Sequence, residues 1–343
     1  MVSRERFRRM RAATPFPLPP LAWTRRLSCL PCGAAEGKGV CRLLVAAFPR
    51  YCDMAVAGAA RVLWRERRSW GPAAARRTGL AFPQLLGCRQ RSSPSFLNRP
   101  DQPKLAFNKL KGKNPGVVFL SGLYSSMNGE KATALEDFCK SIGHAFVRFD
   151  YRGCGSSEGI FRECTVGKWR KDVLAVLDEL TTGPQILVGS SLGGWLMLHA
   201  AIARPEKVVA LVGIASAADH LVSTFQQLPV EAKKEAEEKG EWKMPTKHTE
   251  EGFYAVPYEV IQEAESHCVL GTPLPVKCPV RLIHGMKDED VSWQISLKIA
   301  DRVVSTDVDV ILRKSGEHRM KEPDDIKLII YTVEDLIDKL TAA

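Results

Sequence analysis

From about residue 100 to its end, the chain alternates between short apolar runs and longer stretches of mixed polarity. The apolar runs predict strands at 116–120, 144–149, 185–188, 207–214, 279–285 and 303–313. The longer stretches predict helices over 166–180, from the residues after Ser191 to about Arg204, and over 324–340. Strands that alternate with helices are typical of an α/β domain built on a mostly parallel sheet.

The charge balance divides the chain into two parts. Residues 1–100 carry 19 Lys and Arg against 4 Asp and Glu, whereas the rest of the chain carries 30 against 35. The formal net charge of +10 therefore comes entirely from the first hundred residues. A basic protein invites comparison with nucleic-acid-binding proteins. Because the domain itself is acidic and contains no nucleic-acid-binding motif, we exclude that class.

The basic segment has the composition of a targeting sequence. Residues 54–91 contain eight arginines against one acidic residue, and Ser92 and Ser93 follow. Such a composition is typical of a mitochondrial transit peptide. We therefore expect a transit peptide over 54–91 with its usual start at Met54, a non-structural extension over 1–53, and delivery to the mitochondrial matrix. The alternative is a basic tail without a targeting role.

Three further observations limit the class of protein. The five cysteines beyond residue 100 show neither a disulfide framework nor a metal-site pairing, which agrees with a reducing compartment. No apolar stretch approaches the roughly 20 residues of a transmembrane helix. The domain has no glycine-rich phosphate loop and no dinucleotide fingerprint, so we expect no cofactor.

The pentapeptide Gly189-Ser190-Ser191-Leu192-Gly193 carries the clearest chemical signal. It lies between a predicted strand and a predicted helix, which is the context of a nucleophile elbow. In such an elbow a tight turn forces the central serine into a strained backbone conformation and exposes its hydroxyl. Ser191 is therefore the predicted nucleophile. The alternative is a glycine-rich turn whose serine has no chemical role.

A serine nucleophile needs a general base and a carboxylate that orients that base. His318 lies in the loop predicted after the last strand, and Asp288 follows the strand that ends at Gly285. The order serine, acid, histidine is the one that an elbow of this kind requires. We predict His318 as general base and Asp288 as the orienting carboxylate, and Asp290 stays open as the second choice.

Two backbone N–H groups are expected to stabilise the oxyanion. One belongs to Leu192, the residue after the nucleophile, and the other to a residue in the loop after an early strand. Leu123 is the candidate in that loop, which comprises residues 121–124. The alternative for this loop is a simple turn at the end of a strand.

Together these motifs resemble the α/β-hydrolase family. The resemblance covers residues 100–343 and rests on five segments in family order: 119–123, 149–157, 189–193, 284–288 and 316–318. It implies an α/β-hydrolase domain over 100–343, with a mostly parallel sheet flanked by helices. The resemblance is to mitochondrial hydrolases with palmitoyl-protein thioesterase and acyl-glucuronide esterase activity. It implies a serine hydrolase that cleaves thioesters and esters of acylated proteins or small molecules.

Residues 216–276 interrupt the alternation of strands and helices, and the resemblance implies a small cap at this place. The polar run 231–243 predicts a solvated helix, and 258–267 predicts another. The aromatic group 253–258 either lines a pocket or packs onto the body.

Two other functions stay open from the sequence. A serine peptidase on the same fold would have to protonate a poor amine leaving group and bind a peptide, for which a short cap offers no obvious element. A non-catalytic scaffold would have no physical need for the intact order of serine, acid and histidine.

Overall fold

The computed structural model describes residues 93–342 and contains ten strands there. They are β1 (Ser95–Arg99), β2 (Gln102–Leu110), β3 (Lys113–Leu120), β4 (His144–Phe149), β5 (Gln185–Ser190), β6 (Val208–Ile214), β7 (Glu241–Pro245), β8 (Phe253–Pro257), β9 (Val280–Gly285) and β10 (Val308–Arg313). Eight form one sheet in the order β1-β2-β4-β3-β5-β6-β9-β10, and β7 pairs with β8 alone. All neighbours from β4 to β10 in this order run parallel, whereas β1–β2 and β2–β4 are antiparallel. The predicted mostly parallel fold is confirmed.

Eight α-helices accompany the strands in the described part of the chain. They are α1 (Glu130–Ile142), α2 (Val166–Ala175), α3 (Leu192–Ala203), α4 (His220–Gln226), α5 (Val230–Lys239), α6 (Tyr258–Glu265), α7 (Gln294–Arg302) and α8 (Pro323–Thr341). A π-helical turn, Val176–Leu180, continues α2, and a 3₁₀ turn spans Phe161–Glu163. The helices predicted over 166–180, after Ser191 and over 324–340 correspond to α2 with its π turn, α3 and α8, and the one predicted over 258–267 corresponds to α6.

The differences from the predicted elements have local causes. Strands β1 and β2 were not predicted, because their partly exposed residues form no continuous apolar run. Strand β1 begins at Ser95, before the start of the domain that was predicted at residue 100. The strand predicted from residue 303 begins only at Val308. Helix α7 occupies the residues up to Arg302, and the amide of Ser305 then donates to the carbonyl of Val276 rather than to a sheet neighbour.

The sheet is buried on both faces, which explains the continuous apolar runs of its central strands. One face packs against α2 and α3, where Trp169 and Trp195 are fully buried. The other packs against α1 and α8 through residues such as Leu135 and Val333. These two layers fix the strand ends, and with them the loops that carry the predicted site.

The inserted segment forms a cap of α4, α5, the β7–β8 hairpin and α6. Gly240 has a φ of 66° and ends α5, so the predicted continuation of this helix to residue 243 is wrong, and Glu241 starts β7 instead. Asp219, at the entry to the cap, accepts hydrogen bonds of 2.8 and 2.7 Å from the amides of Val269 and Leu270 near its exit. The two ends of the cap are therefore tied together at the body.

The segments 1–53 and 54–91, with the predicted extension and transit peptide, lie outside the described residues. Within residues 93–342, no helix combines the length and the apolar character that are needed to cross a membrane.

Candidate active site

Ser191 occupies the sharp turn between β5 and α3. Its φ of 53° and ψ of −117° are a strained combination for a residue with a side chain. The flanking glycines have no room for one: a Cβ on Gly189 would lie 2.4 Å from the carbonyl oxygen of Gly193, and a Cβ on Gly193 would lie 2.1 Å from that of Leu120. Backbone packing thus requires glycine at positions 189 and 193, and the turn between them places the serine hydroxyl beyond the carboxyl end of β5.

Three strand ends bring Ser191, His318 and Asp288 together. Asp288 follows β9 and His318 follows β10, and the carboxyl ends of these parallel strands lie at the same edge as that of β5. The Nε2 atom of His318 is 3.1 Å from the Oγ atom of Ser191, and its Nδ1 atom is 2.8 Å from Oδ2 of Asp288. This chain of hydrogen bonds can take a proton from the serine and stabilise the imidazolium that results.

The carboxylate of Asp288 is completely buried and has hydrogen-bond donors on both oxygens. Oδ1 accepts from the amides of Asp290 and Val291 at 3.0 and 2.8 Å. Oδ2 accepts from His318 and also from Nε2 of His284, at 3.0 Å. Burial by itself raises the pKa of Asp288, but the hydrogen bonds from the two histidines outweigh it and hold the pKa well below its ordinary value.

Asp290, the second choice for the acid, faces the cap. Its Oδ1 atom accepts a 2.9 Å hydrogen bond from the hydroxyl of Thr246, and its Oδ2 atom is 2.8 Å from Nε2 of His248. No hydrogen bond joins Asp290 to His318 among residues 93–342. The ring of His248 in turn stacks on that of His318, with centroids 6.2 Å apart. Asp290 thus holds the β7–β8 loop of the cap against the predicted triad.

Polar atoms of Asp288, Asp290 and His318 lie within 4.8 Å of one another, a spacing that a metal ion could use. The same side chains already have protein partners: His318 contacts Ser191, and Asp290 contacts Thr246 and His248. These contacts account for their arrangement without an ion.

The two predicted oxyanion donors, Leu192 and Leu123, lie on either side of this site. Leu192 is the first residue of α3, where backbone N–H groups have no partner within the helix. Leu123 lies in the loop after β3, beside Gly122, whose Cβ position would be 3.3 Å from Cβ of Ser191. Neither amide donates a hydrogen bond to another group of the described chain. Both N–H groups are therefore free to bind an oxyanion.

A cavity of about 790 Å³ opens over Ser191. The lining from α2, α3 and the cap includes the large side chains of Trp169, Trp195, Leu221, Met244 and Tyr254, together with the polar side chains of His220, Thr224 and His248. The lining from the start of α1 and the His318 loop is polar and includes Ser126, Asn128, Lys131, Arg319 and Lys321. Tyr254 lines the cavity and also stacks on Tyr124 of the body, whereas Tyr258 packs on Phe225 within the cap. The aromatic group 253–258 therefore both lines the pocket and packs onto the body. A cavity with these two linings suits a substrate in which an apolar acyl group is joined to a polar leaving group.

Two side chains in this region were not singled out by the sequence analysis. His220 of α4 lines the cavity, and burial, with the nearby His318, lowers its pKa. Lys131 of α1 donates a hydrogen bond to the carbonyl of Arg319, beside His318, and burial lowers the pKa of Lys131 to about 8. No sequence motif marks either residue, because only the packing of α1 and α4 brings them to the site.

The comparisons with known proteins agree with this geometry. Residues 115–244 match the model of the alpha/beta hydrolase fold family. The human mitochondrial palmitoyl-protein thioesterase ABHD10 is 62% identical over 302 residues, which cover 84% of this chain and 99% of the relative. The chain belongs to the ABHD10 family of α/β-hydrolases. This hydrolase shares 61% identity over 302 residues with the relative of the same name from cattle, with the same coverage of both chains.

Solved structures support the assignment of the fold. The α/β-hydrolase domain-containing protein 10 from mouse superimposes with a TM-score of 0.70 at 66% identity, over 73% of this chain and all of that one. A putative hydrolase from Agrobacterium vitis superimposes with a TM-score of 0.67 at 29% identity, over 71% of this chain and 97% of the other. Family membership makes the protein a hydrolase, and the names of the curated relatives give its location as mitochondrial.

Proposed function

We propose that this hydrolase removes acyl groups from thioesters, with palmitoylated proteins as the principal substrates and acyl esters as further ones. The observation that carries the proposal is the chain of hydrogen bonds Ser191–His318–Asp288 beneath a cavity with an apolar side. Its volume is within the roughly 300–1,000 Å³ typical of small-molecule sites. The relatives named palmitoyl-protein thioesterase supply the acyl class.

In the proposed reaction, His318 Nε2 takes the proton of Ser191 while the serine Oγ attacks the thioester carbon. The carbonyl oxygen becomes an oxyanion, which the amides of Leu123 and Leu192 stabilise. Collapse of the tetrahedral intermediate breaks the carbon–sulfur bond, and His318 returns its proton to the leaving thiolate. Water, deprotonated by His318, then attacks the carbonyl carbon of the acyl-enzyme. As this second intermediate collapses, His318 returns the proton to the Oγ atom of Ser191, which releases the fatty acid and free Ser191. Asp288 keeps Nδ1 of His318 protonated throughout.

The test combines active-site labelling with turnover. We expect a fluorophosphonate to label the wild-type protein but not Ser191→Ala or His318→Ala. Palmitoyl thioesters should be hydrolysed by the wild type, and loss of the nucleophile should lower kcat by a factor on the order of 10⁶. Substantial turnover by a folded Ser191→Ala variant would refute the mechanism. Hydrolysis of the matching amide at a comparable rate would favour a peptidase instead.

We also propose a mitochondrial transit peptide over 54–91 and a location in the matrix. The arginine-rich, acid-poor composition of this segment supports the proposal. Protease treatment of mitochondria and of mitoplasts tests it, since a matrix protein stays protected in both. Digestion in mitoplasts alone would place the protein in the intermembrane space.

A further inference from the structure

A second histidine, His284, contacts the same carboxylate oxygen of Asp288 as His318 does. His284 is the penultimate residue of strand β9, four residues before Asp288, and its side chain is completely buried. Its Nε2 atom is 3.0 Å from Oδ2 of Asp288 and 3.0 Å from the carbonyl oxygen of Val291. Its Nδ1 atom is 2.8 Å from the hydroxyl of Ser296, a buried residue of α7.

These partners determine the tautomer of His284. A carboxylate and a carbonyl oxygen can only accept, so Nε2 must carry the hydrogen. The hydroxyl of Ser296 can donate to Nδ1, so the tautomer with the hydrogen on Nε2 satisfies both ring nitrogens. Helix α7 therefore fixes the ring, and the ring presents one N–H group to Asp288.

The contact falls on the oxygen that the proposed triad uses. Oδ2 of Asp288 accepts from both His318 and His284, whereas Oδ1 is held by the two backbone amides of the following turn. The amides alone leave the carboxylate able to tilt about Oδ1. A second donor on Oδ2, anchored on a different element, removes that freedom.

We propose that His284 is a positioning residue for the hydrolysis: its Nε2–H group holds Oδ2 of Asp288 in the orientation that binds Nδ1–H of His318. The inference rests on the proposed function, because it assigns His284 a role relative to the triad named there. Positioning of this kind affects rate because small displacements of a catalytic group are costly, with losses of about 100-fold for a shift near 1 Å.

The same hydrogen bond favours the ionised form of Asp288, and this provides a readout that packing alone would not change. The groups that face Asp288 are His284 from β9, His318 from the loop after β10 and Asp290 from its own loop. His220 from α4 also interacts electrostatically with it. Without the donor from His284, Oδ2 of Asp288 keeps more of its negative charge towards His318 and stabilises the imidazolium more strongly. Because His318 must be neutral to accept the proton of Ser191, the acid limb of the kcat/KM profile should then move to higher pH.

Two amide variants of His284 distinguish the effect of the hydrogen-bond donor at Nε2 from the effect of losing the imidazole ring. In His284→Gln the side-chain amide nitrogen can reach the position of Nε2 and donate to Asp288. In His284→Asn the shorter side chain places its amide near the position of Nδ1, towards Ser296. We expect the Gln variant to keep most of the wild-type kcat and its acid limb. The Asn variant should lose about 10- to 100-fold in kcat and show the shifted limb.

His144→Gln is the control for removal of a buried histidine. His144 is the first residue of β4, at the amino ends of the parallel strands, whereas the site lies at their carboxyl ends. Thermal unfolding establishes that each variant is folded. A folded Asn variant with wild-type kcat and acid limb would overturn the proposal, as would equal losses in the Asn and Gln variants with an unshifted limb.

If neither variant folds, Ser296→Ala is the deciding experiment. It removes the hydrogen bond that holds the ring of His284, so kcat should fall, and an unchanged kcat would count against the proposal. Activity in Ser191→Ala would instead refute the proposed function itself.

Discussion

The hydroxyl of Tyr124 donates a 2.6 Å hydrogen bond to the backbone carbonyl of Ala255, which joins the loop after β3 to strand β8 of the cap. The ring of Tyr124 stacks on Phe161 and on Tyr254, with centroids 4.2 and 4.8 Å apart. Burial raises the pKa of Tyr124 to about 12, so the hydroxyl remains a donor at physiological pH. Because Tyr124 follows Leu123 directly, the cap supports one of the two proposed oxyanion donors.

Removal of the hydroxyl should therefore weaken catalysis without abolishing it. A hydrogen bond of this kind contributes about 1 kcal/mol, so Tyr124→Phe should lower kcat about fivefold. Tyr124→Ala also removes the stacking, worth about 0.5–1.5 kcal/mol for each aromatic pair, and should lower kcat further. Steady-state kinetics on a palmitoyl thioester provide the measurement. Tyr331→Phe, on the exposed side of α8, is the control, and equal effects at both sites would contradict this role.

The two acidic residues after β9 should differ sharply in their effect on turnover. Asp288→Asn removes the acceptor for Nδ1–H of His318 and should lower kcat by about 10⁴, because the imidazole then adopts the wrong tautomer. Asp290→Asn loosens only the contacts with Thr246 and His248 of the cap and should cost less than about tenfold. Single-turnover kinetics of both variants test this. The reverse ranking would assign the orienting role to Asp290.

The apolar part of the cavity should determine the preference for long acyl chains. Leu221 of α4 lines it, and Leu221→Trp would fill space that a chain occupies. Each methylene group excluded from apolar surroundings costs about 0.8 kcal/mol, so loss of two should lower kcat/KM for a palmitoyl thioester roughly tenfold. An acetyl thioester should be hydrolysed as before. Leu297→Trp, on the exposed face of α7, is the control. A parallel loss for both substrates would exclude Leu221 from the acyl-binding part of the cavity.

His199 should make the stability of the domain depend on pH. It lies in α3, its Nε2 is 3.0 Å from the carbonyl oxygen of His267, and burial lowers its pKa to about 4. Since its pKa in the unfolded chain is about 6.5, the unfolded state binds the proton first as the pH falls. Stability is thus lost between about pH 6.5 and pH 4, by about 3 kcal/mol in total. Urea unfolding across this range should show a shallower dependence for His199→Gln, and an identical slope would rule out this residue as the cause.

The proposed catalytic residues and their order along the chain were predictable from the sequence, whereas the side chains that hold them in place were not. Ser191, Asp288 and His318 were singled out because glycines, strand ends and residue order are local signals in the sequence. Tyr124 and Lys131 carry no such signal, and their partners Ala255 and Arg319 are more than 100 residues away. His284 lies in one of the family segments, but nothing in the sequence shows that Ser296 of α7 holds its ring beside Asp288. The choice between Asp288 and Asp290 likewise depended on which side chain faces the cap.

The sequence by itself determined the alternation of strands and helices, the elbow at Ser191 and the place of the cap. These follow from local physics: continuous apolar runs must be buried on both faces, and the tight turn excludes any residue but glycine at positions 189 and 193. Only the tertiary structure decided which donors share the oxygen of Asp288, how the cap contacts the loop after β3, and what lines the cavity. Those features depend on contacts between side chains from different strand ends and from the cap. No local pattern in the chain specifies such contacts, because the residues are far apart in the sequence.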